Sequence, residues 1–404
     1  MSCPSALVYG DAYRHAPYDF GASHPLQPAR MEMAVALMAA CGLLDAPNVS
    51  RIEPRPATTV ELQAVHDAAY VAAVRELSIG DHLLRDLGDL AAGYGFHHED
   101  NPVFPGMAEA AALVAGSTVA GAEAILDGSV LHAFVPAGGM HHAHRARASG
   151  FCIFNDPAVA IAAVRARYGI RVAYVDVDAH HADGMQSTFY NDPNVLTISL
   201  HESGLYLFPG EGFIHEQGEG AGFGYNVNMP LQRYTTDAPY LLAFHAVVPP
   251  LLRAFKPDLL VTQCGCDSHW LDPLSHLATS TAIWPVLANT FHDLAHELCG
   301  GRWLAMGGGG FDPYSVVPRA WTMLFAGMCG MDLPAELPRS FLELRQQHVA
   351  SLPGPLPGFA TTFAETMDLP IPEAHYQYVL DITARTLGRL REAAFPPLGA
   401  TDTD

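Results

Sequence analysis

The chain has 404 residues, half of which are hydrophobic, and its 21 basic and 42 acidic residues give a formal net charge of −21. This length suits one large α/β domain or two average domains, and the acidic balance disfavours binding to nucleic-acid phosphates. The N-terminus lacks a basic region followed by an apolar run. Since no uninterrupted apolar stretch approaches the roughly 20 residues that span a bilayer, we expect a soluble, cytoplasmic protein without a membrane partner.

Short apolar runs alternate with helical patterns from residue 130 onward. The predicted strands are 130–136, 171–175, 195–200, 258–263 and 302–306, and the predicted helices are 157–167, 237–254, 280–298, 318–327 and 376–394. This alternation indicates an α/β fold with a central, mostly parallel sheet and helices on both faces. A Pro/Gly-rich link at 352–358 precedes the last helix. We predict one domain over residues 1–395 and a frayed tail over 396–404.

The seven cysteines are spread thinly along the chain. Their odd number and the lack of framework spacing predict reduced thiols, as in a cytoplasmic protein. Cys264 and Cys266 lie inside an apolar, strand-like run, so buried thiols are expected there.

Residues that are poor strand formers follow four of the predicted strands. They are Gly138, Gly139, His141 and His142 after the first, Asp176, Asp178, His180 and Asp183 after the second, Asp267 after the fourth, and glycines 307–310 after the fifth. Parallel α/β sheets place their sites outside the carboxyl ends of the strands. These segments should therefore converge on one crevice.

Alternating polar residues suggest a metal site at the second of these strand ends. Asp176, Asp178 and His180 share one face of an extended backbone, and Asp267 could supply a third ligand beside Asp178 and His180. Two carboxylates and one imidazole leave a coordination position for water, as in catalytic zinc sites. A polar loop that caps the next helix is the alternative, but the histidine pair at another strand end favours the metal site.

The tandem pair His141-His142 needs a turn if both rings are to face one site, and Gly138 and Gly139 permit that turn. We interpret the two imidazoles as general base and general acid because imidazole titrates near neutrality. Each ring would need a carboxylate to fix its tautomer, and spare acids lie close in sequence. A pair of surface histidines is the alternative.

Other candidate motifs are weaker. His292 and His296 are four residues apart, but Glu297 is misplaced for the pattern His-Glu-x-x-His, so a solvated helix face is predicted. The pair at 97–98 is predicted to lie in a surface loop. The glycine run at 307–310 lacks the ending of a phosphate loop, and close approach of backbone to a ligand explains it better.

Taken together, these segments resemble a known family. Residues 139–143, 148–156, 176–184, 263–268 and 307–322 resemble the core signature of zinc-dependent histone deacetylases. Residues 24–30 and 99–106 are similar to the bacterial acetoin-utilization branch, which is close to class I deacetylases. The motifs occur in family order from roughly residue 18 to residue 322, and the combination is more specific than any one of them.

The resemblance implies the arginase/deacetylase type of α/β fold, with about eight strands, and a zinc-dependent amidohydrolase that acts on acyl-lysine in proteins or peptides. Its implied ligands for zinc, or for Fe²⁺ in its place, are Asp178, His180 and Asp267. The implied catalytic residues are His141, paired with Asp176 as general base, and His142, paired with Asp183 as electrostatic partner and proton donor.

The resemblance also implies residues around the substrate. They are Asp100, Gly150, Phe151, Phe208, Gly309 and Phe311, and product would leave past Arg30. Phe151 and Phe208 would wall a narrow tunnel, Asp100 would hold the substrate at the rim, and Arg30 would lie at the inner foot.

Family members also bind monovalent cations, K⁺ or Na⁺, at two sites. The first matches Asp176, Asp178, His180, Ser199 and Leu200, and the second matches Phe189, Asp192, Val195 and Tyr225. We expect structural ions at both positions.

One departure from the family pattern stands out. The family usually has tyrosine directly after the glycine run, where its hydroxyl donates to the developing oxyanion, but this chain has Phe311. Loss of one such donor typically costs about 10²–10³ in rate. Weak activity on acetyl-lysine, or a preference for more electrophilic acyl groups, follows as an expectation. Tyr314, three residues on, could supply the hydroxyl instead.

Two alternatives share the same motif residues. The first is an acetylpolyamine amidohydrolase, whose rim would select a cationic tail. The second belongs to another class and is a zinc-binding acyl-lysine reader with vestigial catalysis. Phe311 supports the reader, whereas retention of all proposed ligands and both histidines speaks against it.

Overall fold

The computed structural model describes residues 3–79, 87–96, 99–350, 352, 359–365 and 371–400. The strands are β1 (Ser5–Val8), β2 (Val49–Ile52), β3 (His132–Val135), β4 (Val172–Asp176), β5 (Val195–Glu202), β6 (Asn226–Leu231), β7 (Leu259–Gln263) and β8 (Trp303–Met306). The α-helices are α1 (Ala12–His15), α2 (Ala29–Ala40), α3 (Thr59–Gln63), α4 (Ala68–Leu77), α5 (Gly88–Gly93), α6 (Met107–Leu126), α7 (Asp156–Tyr168), α8 (Asp183–Phe189), α9 (Asp237–Phe255), α10 (Ile283–Cys299), α11 (Val316–Cys329), α12 (Arg339–Val349) and α13 (Glu373–Leu398). The predicted pair at 97–98, most of the predicted link and the end of the predicted tail lie outside the described residues.

All eight strands form one sheet in the order β2-β1-β3-β8-β7-β4-β5-β6, and every neighbouring pair is parallel. The predicted sheet of about eight strands is confirmed. Every residue of β3, β4, β5, β7 and β8 is buried, as expected for strands of a parallel sheet with helices packed around it. The five predicted strands correspond to these five.

The helices pack around this sheet. Helix α6 contacts α7 and the strands β1, β3 and β8, and α9, α10 and α11 pack side by side along the sheet. Helices α6 and α9 are long and apolar enough to cross a membrane by length and composition, but most of each is buried inside the domain. Packing in the core therefore accounts for their apolar character.

The last helix runs beyond the predicted end of the domain. Helix α13 packs on α9 and β6 and continues to Leu398, where Gly399 ends it in the left-handed conformation with a φ of 69°. The division between domain and tail at residue 395 stays a prediction.

Candidate active site

The carboxyl ends of four neighbouring strands, β3, β8, β7 and β4, lie level at one edge of the sheet, beside Ser199 of β5. In the strand register, Val135 pairs with Met306, Met306 with Gln263, Gln263 with Asp176, and Asp176 with Ser199. The segments that follow these residues therefore start from one line across the sheet. The four segments that we expected to converge do so.

Asp178, His180 and Asp267 meet at this edge. Each offers one potential ligand atom, and the three atoms lie within 4.8 Å of one another. His180 Nδ1 is 2.8 Å from Asp267 Oδ2 and 3.1 Å from Asp178 Oδ1. Gln263 Nε2 and the Gly309 N–H each donate to Asp178 Oδ2 at 2.7 Å, which fixes that carboxylate in place.

This donor set fits a divalent cation. Asp178 and Asp267 are 1% and 0% exposed, and within the described ranges neither carboxylate forms an ion pair with lysine or arginine. Burial, together with the Asp178 charge, raises the pKa of Asp267 well above its ordinary value. A cation bound between the two carboxylates would remove this repulsion, and two carboxylates with one imidazole leave a coordination position open.

Two glycine-rich turns bring backbone close to these carboxylates. Gly139 has a φ of +97°, which gives the turn that we predicted before the histidine pair. A Cβ at Gly309 would lie 2.1 Å from Asp267 Oδ2 and 2.6 Å from Asp178 Oδ2, so no side chain fits there. The glycine run thus allows backbone to approach the candidate ligands.

His141 and His142 form two histidine–aspartate pairs. His141 Nδ1 is 2.7 Å from Asp176 Oδ2, and His142 Nδ1 is 2.6 Å from Asp183 Oδ1. The two Nε2 atoms lie 3.0 Å apart, and both imidazoles are almost completely buried. Because each Nδ1 is engaged by a carboxylate, Nε2 is the atom of each ring at which a proton can be exchanged with a bound molecule.

The environment pushes the pKa values of the two imidazoles apart. Burial opposes charge on His141, but the carboxylates of Asp176 and Asp178 raise its pKa to about 9. Burial and the charge of His141 lower the pKa of His142 to about 4. The pair therefore holds one proton over a wide pH range. A cation on Asp178 would cancel one of the charges that raise the pKa of His141.

Three residues that the sequence analysis did not select hold the histidine loop. Asp156 accepts hydrogen bonds from the N–H groups of Gly139 and Met140. Asn155 caps the N-terminus of α7, because its side chain accepts from Ala158 N, and its Nδ2 donates to the carbonyl of His141. The sequence Asn155-Asp156-Pro157 before an apolar run is an N-cap signal that could have indicated the role of Asn155.

The third loop-holding residue is His66, which is 1% exposed. Its Nδ1 is 3.0 Å from the carbonyl of His144, and its Nε2 accepts from the Asn155 N–H at 3.0 Å. The ring is therefore neutral, with its proton on Nδ1, and it joins the segment that follows the histidine pair to the N-terminus of α7. No local pattern around residue 66 indicates this role, since both contacts are distant in sequence.

His66 should make stability depend on pH. Burial lowers its pKa from 6.5 to about 4, so the folded chain binds fewer protons than the unfolded chain between these values. The neutral, buried His66 ring therefore stabilises the folded chain above pH 6.5, and this stabilisation is lost as the pH falls toward 4. Between about pH 7.5 and about pH 5, the unfolding free energy of wild type should fall by about 2 kcal/mol more than that of the His66→Gln variant. Urea unfolding at both pH values measures this, and equal losses in the two proteins would contradict it.

A cavity of about 340 Å³ opens onto the candidate metal ligands Asp178, His180 and Asp267 and onto the histidine pair. All predicted substrate and exit residues line it, namely Arg30, Asp100, Gly150, Phe151, Phe208, Gly309 and Phe311. Leu26, Met140, Cys152, Leu207 and Leu274, which we did not predict, complete its apolar wall. The cavity is therefore a largely apolar passage with its charged groups at the inner end and at Asp100.

Several wall residues have defined positions. Phe208 is 43% exposed, and its ring packs against His142 with the centroids 5.1 Å apart. The Phe151 ring packs on Phe311 at 5.6 Å. Arg30 is buried, and its guanidinium donates to the carbonyls of Gly308 and Gly310, behind the glycine run. These contacts order the walls before any substrate binds.

Phe311 faces into the site. Its ring lies 6.4 Å from that of His180, and its N–H donates to Asp272 Oδ2. Tyr314 packs on Phe359 instead and is not among the residues that line the cavity. The alternative in which Tyr314 replaces the missing hydroxyl therefore finds no support, and no described residue of the cavity wall carries a hydroxyl group.

Comparison with known proteins identifies this arrangement. The family model described as the histone deacetylase domain matches residues 24–328, which contain the metal cluster, both dyads and the cavity wall. The chain belongs to the histone deacetylase family. It is a deacetylase-type hydrolase, and membership implies a bound metal ion and acetylated substrates.

The similar proteins place this deacetylase in the acetoin-utilization branch. It is 42% identical over 338 residues to the acetoin utilization protein AcuC of Bacillus subtilis, covering 84% of this chain and 85% of that protein. Identity to AcuC of Staphylococcus aureus strain Mu50 is 38% over 327 residues, covering 81% and 82%. The crystal structure of an HDAC homolog from Aquifex aeolicus superposes with a TM-score of 0.79 at 30% identity, covering 94% of this chain and 99% of that chain.

Proposed function

We propose that this deacetylase hydrolyses the amide bond of acyl-lysine in proteins or peptides. The observation that carries the proposal is the position of the two histidine–aspartate pairs and the Asp178–His180–Asp267 cluster at the inner end of one apolar cavity. Such a passage suits an apolar methylene chain that ends in an uncharged amide. The acyl group would lie beside the histidines.

We infer that the metal is zinc, with Fe²⁺ as the alternative, held by Asp178, His180 and Asp267. When bound, it would supply Lewis-acid chemistry, which polarises an acyl carbonyl and lowers the pKa of water. Oxygen and nitrogen donors with one open position are typical of catalytic zinc sites. They also suit ferrous iron.

The histidine pair would move the protons. A cation on Asp178 would cancel one of the charges that raise the pKa of His141 and so favour the neutral ring. His141 Nε2 then takes a proton from the attacking water while its Nδ1–H donates to Asp176, and that carboxylate stabilises the resulting positive charge. Neutral His142 holds its proton on Nδ1, toward Asp183. The proton taken up by His141 therefore passes across the 3.0 Å between the two Nε2 atoms to His142, which gives it to the departing amine. The 3.0 Å between the two Nε2 atoms supports the proposal that both act on the same scissile bond.

The cavity wall would select the substrate. Phe151 and Phe208 would flank the methylene chain, and Asp100 would accept hydrogen bonds from the substrate backbone or amine at the rim. Arg30 would lie beside the carboxylate product as it leaves. The net charge of −21 also favours cationic, lysine-rich partners.

We propose further that Phe311 shifts the acyl preference toward electrophilic groups. With no hydroxyl on the described cavity wall, the developing oxyanion lacks a donor that the family usually provides. A trifluoroacetyl group needs less of this stabilisation because its carbonyl is more electrophilic. We expect its hydrolysis to be faster than that of acetyl by more than the intrinsic difference between the two amides.

A comparison of three substrates tests both the proposed hydrolysis of acyl-lysine and the proposed acyl preference. Zinc-reconstituted protein is given an acetyl-lysine peptide, its trifluoroacetyl analogue and N-acetylspermidine, with chelator-treated protein as the blank. We expect kcat/KM to rank acetyl-lysine above acetylspermidine, and trifluoroacetyl-lysine above acetyl-lysine by a larger factor than that between the uncatalysed hydrolysis rates of the two amides. A reversed ranking of the last two would instead support the acetylpolyamine hydrolase. Failure of the loaded protein to hydrolyse any of the three would reject the proposed function.

We also propose the two monovalent-cation sites. In the first, Ser199 pairs with Asp176 across β4 and β5, close to Asp178 and His180. In the second, the Asp192 N–H donates to the Phe189 carbonyl at 2.9 Å in the turn between α8 and β5, and the Val195 N–H donates to the Asp192 carbonyl at 3.3 Å. The Tyr225 carbonyl accepts from the Thr197 N–H, two residues after Val195. The proximity of the residues within each set supports the two proposed cation sites.

A further inference from the structure

A second cluster of potential metal ligands lies at the opposite edge of the sheet. Cys3 precedes β1, His132 is the first residue of β3, and His292 and His296 lie on successive turns of α10. The candidate active site follows the carboxyl ends of the strands, whereas this cluster lies at their amino ends. The two groups therefore share no residue.

The four side chains meet closely. Each offers one ligand atom, and the four atoms lie within 4.8 Å of one another. Cys3 Sγ is 3.2 Å from His296 Nε2 and 4.0 Å from His292 Nε2. The His132 ring centroid lies 5.0 Å from that of His292 and 5.3 Å from that of His296. His296 is exposed, as the predicted solvated helix face requires, and His292 is half-buried, but both imidazoles also contact Cys3.

His132 supplies an independent indication of a ligand. It is 0% exposed, and neither of its ring nitrogens has a hydrogen-bond partner among the described residues. Leaving a buried polar group without a partner costs on the order of 1–3 kcal/mol. A metal ion bound by one of these nitrogens would give it the partner that it lacks.

The backbone around the cluster is fixed by other contacts. The N–H groups of Leu131 and His132 donate to the Pro4 carbonyl, and Asn48 Nδ2 donates to the Cys3 carbonyl at 2.9 Å. The ring of Trp303 packs against His132 at 5.5 Å. Binding of a ligand therefore requires little ordering of the chain.

We propose that Cys3, His132, His292 and His296 form a second, structural metal site that binds Zn²⁺. One thiolate and three imidazoles supply the four nitrogen and sulfur ligands that a closed structural zinc site needs. Ideal Zn–N and Zn–S bonds would place these ligand atoms roughly 3.3–3.6 Å apart, and the two Cys3 distances of 3.2 and 4.0 Å lie within about 0.4 Å of this range. The ion would join the N-terminal segment, β3 and α10, and the site does not depend on the proposed deacylase chemistry.

Cobalt distinguishes this site from the catalytic one. Only a thiolate ligand gives the sulfur-to-cobalt charge-transfer band in the near ultraviolet, and the cluster at Asp178 has no sulfur donor. We expect metal-stripped wild type to take up two Co²⁺ per chain and to show this band. Cys3→Ser should lose the band and keep its deacylase activity, whereas Asp178→Ala should keep the band and lose the other Co²⁺.

Two further variants make the test complete. Cys41→Ser removes a half-exposed thiol outside the cluster and should leave the band unchanged. His296→Ala changes an exposed residue, so the fold should be kept, and the Co²⁺ affinity that the band reports should fall by about 10-fold or more. The absence of the band from wild type in excess Co²⁺, or its persistence in Cys3→Ser, would overturn the proposal.

Discussion

Replacing Phe311 with tyrosine is expected to raise kcat on acetyl-lysine peptides by about 10²–10³. The Phe311 ring already lies on the cavity wall, against Phe151 and near His180, and tyrosine adds only one oxygen at the ring tip. That oxygen supplies a hydroxyl donor on a wall whose described residues carry none. The donor acts on charge that develops in the transition state, so the gain should appear in kcat, with KM nearly unchanged.

The control for this prediction is Tyr314→Phe, which removes a hydroxyl outside the cavity and should leave kcat as it is. The gain from Phe311→Tyr should also be smaller with trifluoroacetyl-lysine, because that carbonyl depends less on a donor. Tight binding of acyl-lysine peptide by both proteins without a rise in kcat would instead favour the reader hypothesis. Phe311→Leu tests the wall itself, since it changes packing without adding a donor.

The centre of the sheet could be predicted from the sequence, whereas its edges could not. Strands β3, β4, β5, β7 and β8 are buried throughout, so they appear as continuous apolar runs. Strand β2 is partly exposed and only four residues long, and β6 contains two asparagines and a proline. Helix α6 is apolar almost all round because it is buried on most sides, and it therefore lacks the stripe by which a surface helix is recognised.

In the candidate active site too, some residues could be predicted from the sequence and others could not. The proposed ligands and both dyads follow buried strands within short, recognisable segments, so their convergence could be predicted from the topology of parallel sheets. His66 and Leu274 come from segments with no local signal, and only the folded chain brings them to the site. The cluster of Cys3 with His296 joins residues 293 positions apart, which no pattern within one segment indicates.

Replacing His141 with alanine is expected to lower kcat by about 10²–10⁴, the usual range for loss of a general base. The variant should keep its metal, because Asp178, His180 and Asp267 are held by one another, by Gln263 and by backbone N–H groups. Metal content measured beside kcat therefore separates a catalytic role from a structural one. His245→Ala, on the exposed face of α9, is the matched control.

The two histidines should also respond differently to the leaving group. An anilide substrate releases a weakly basic amine that needs little protonation, so it should restore much of the rate to His142→Ala but not to His141→Ala. Because the two imidazoles face each other across 3.0 Å and act on one bond, the double variant should lose little more than His141→Ala alone. Equal rescue of both single variants by the anilide would show that the base and acid roles are not divided in this way.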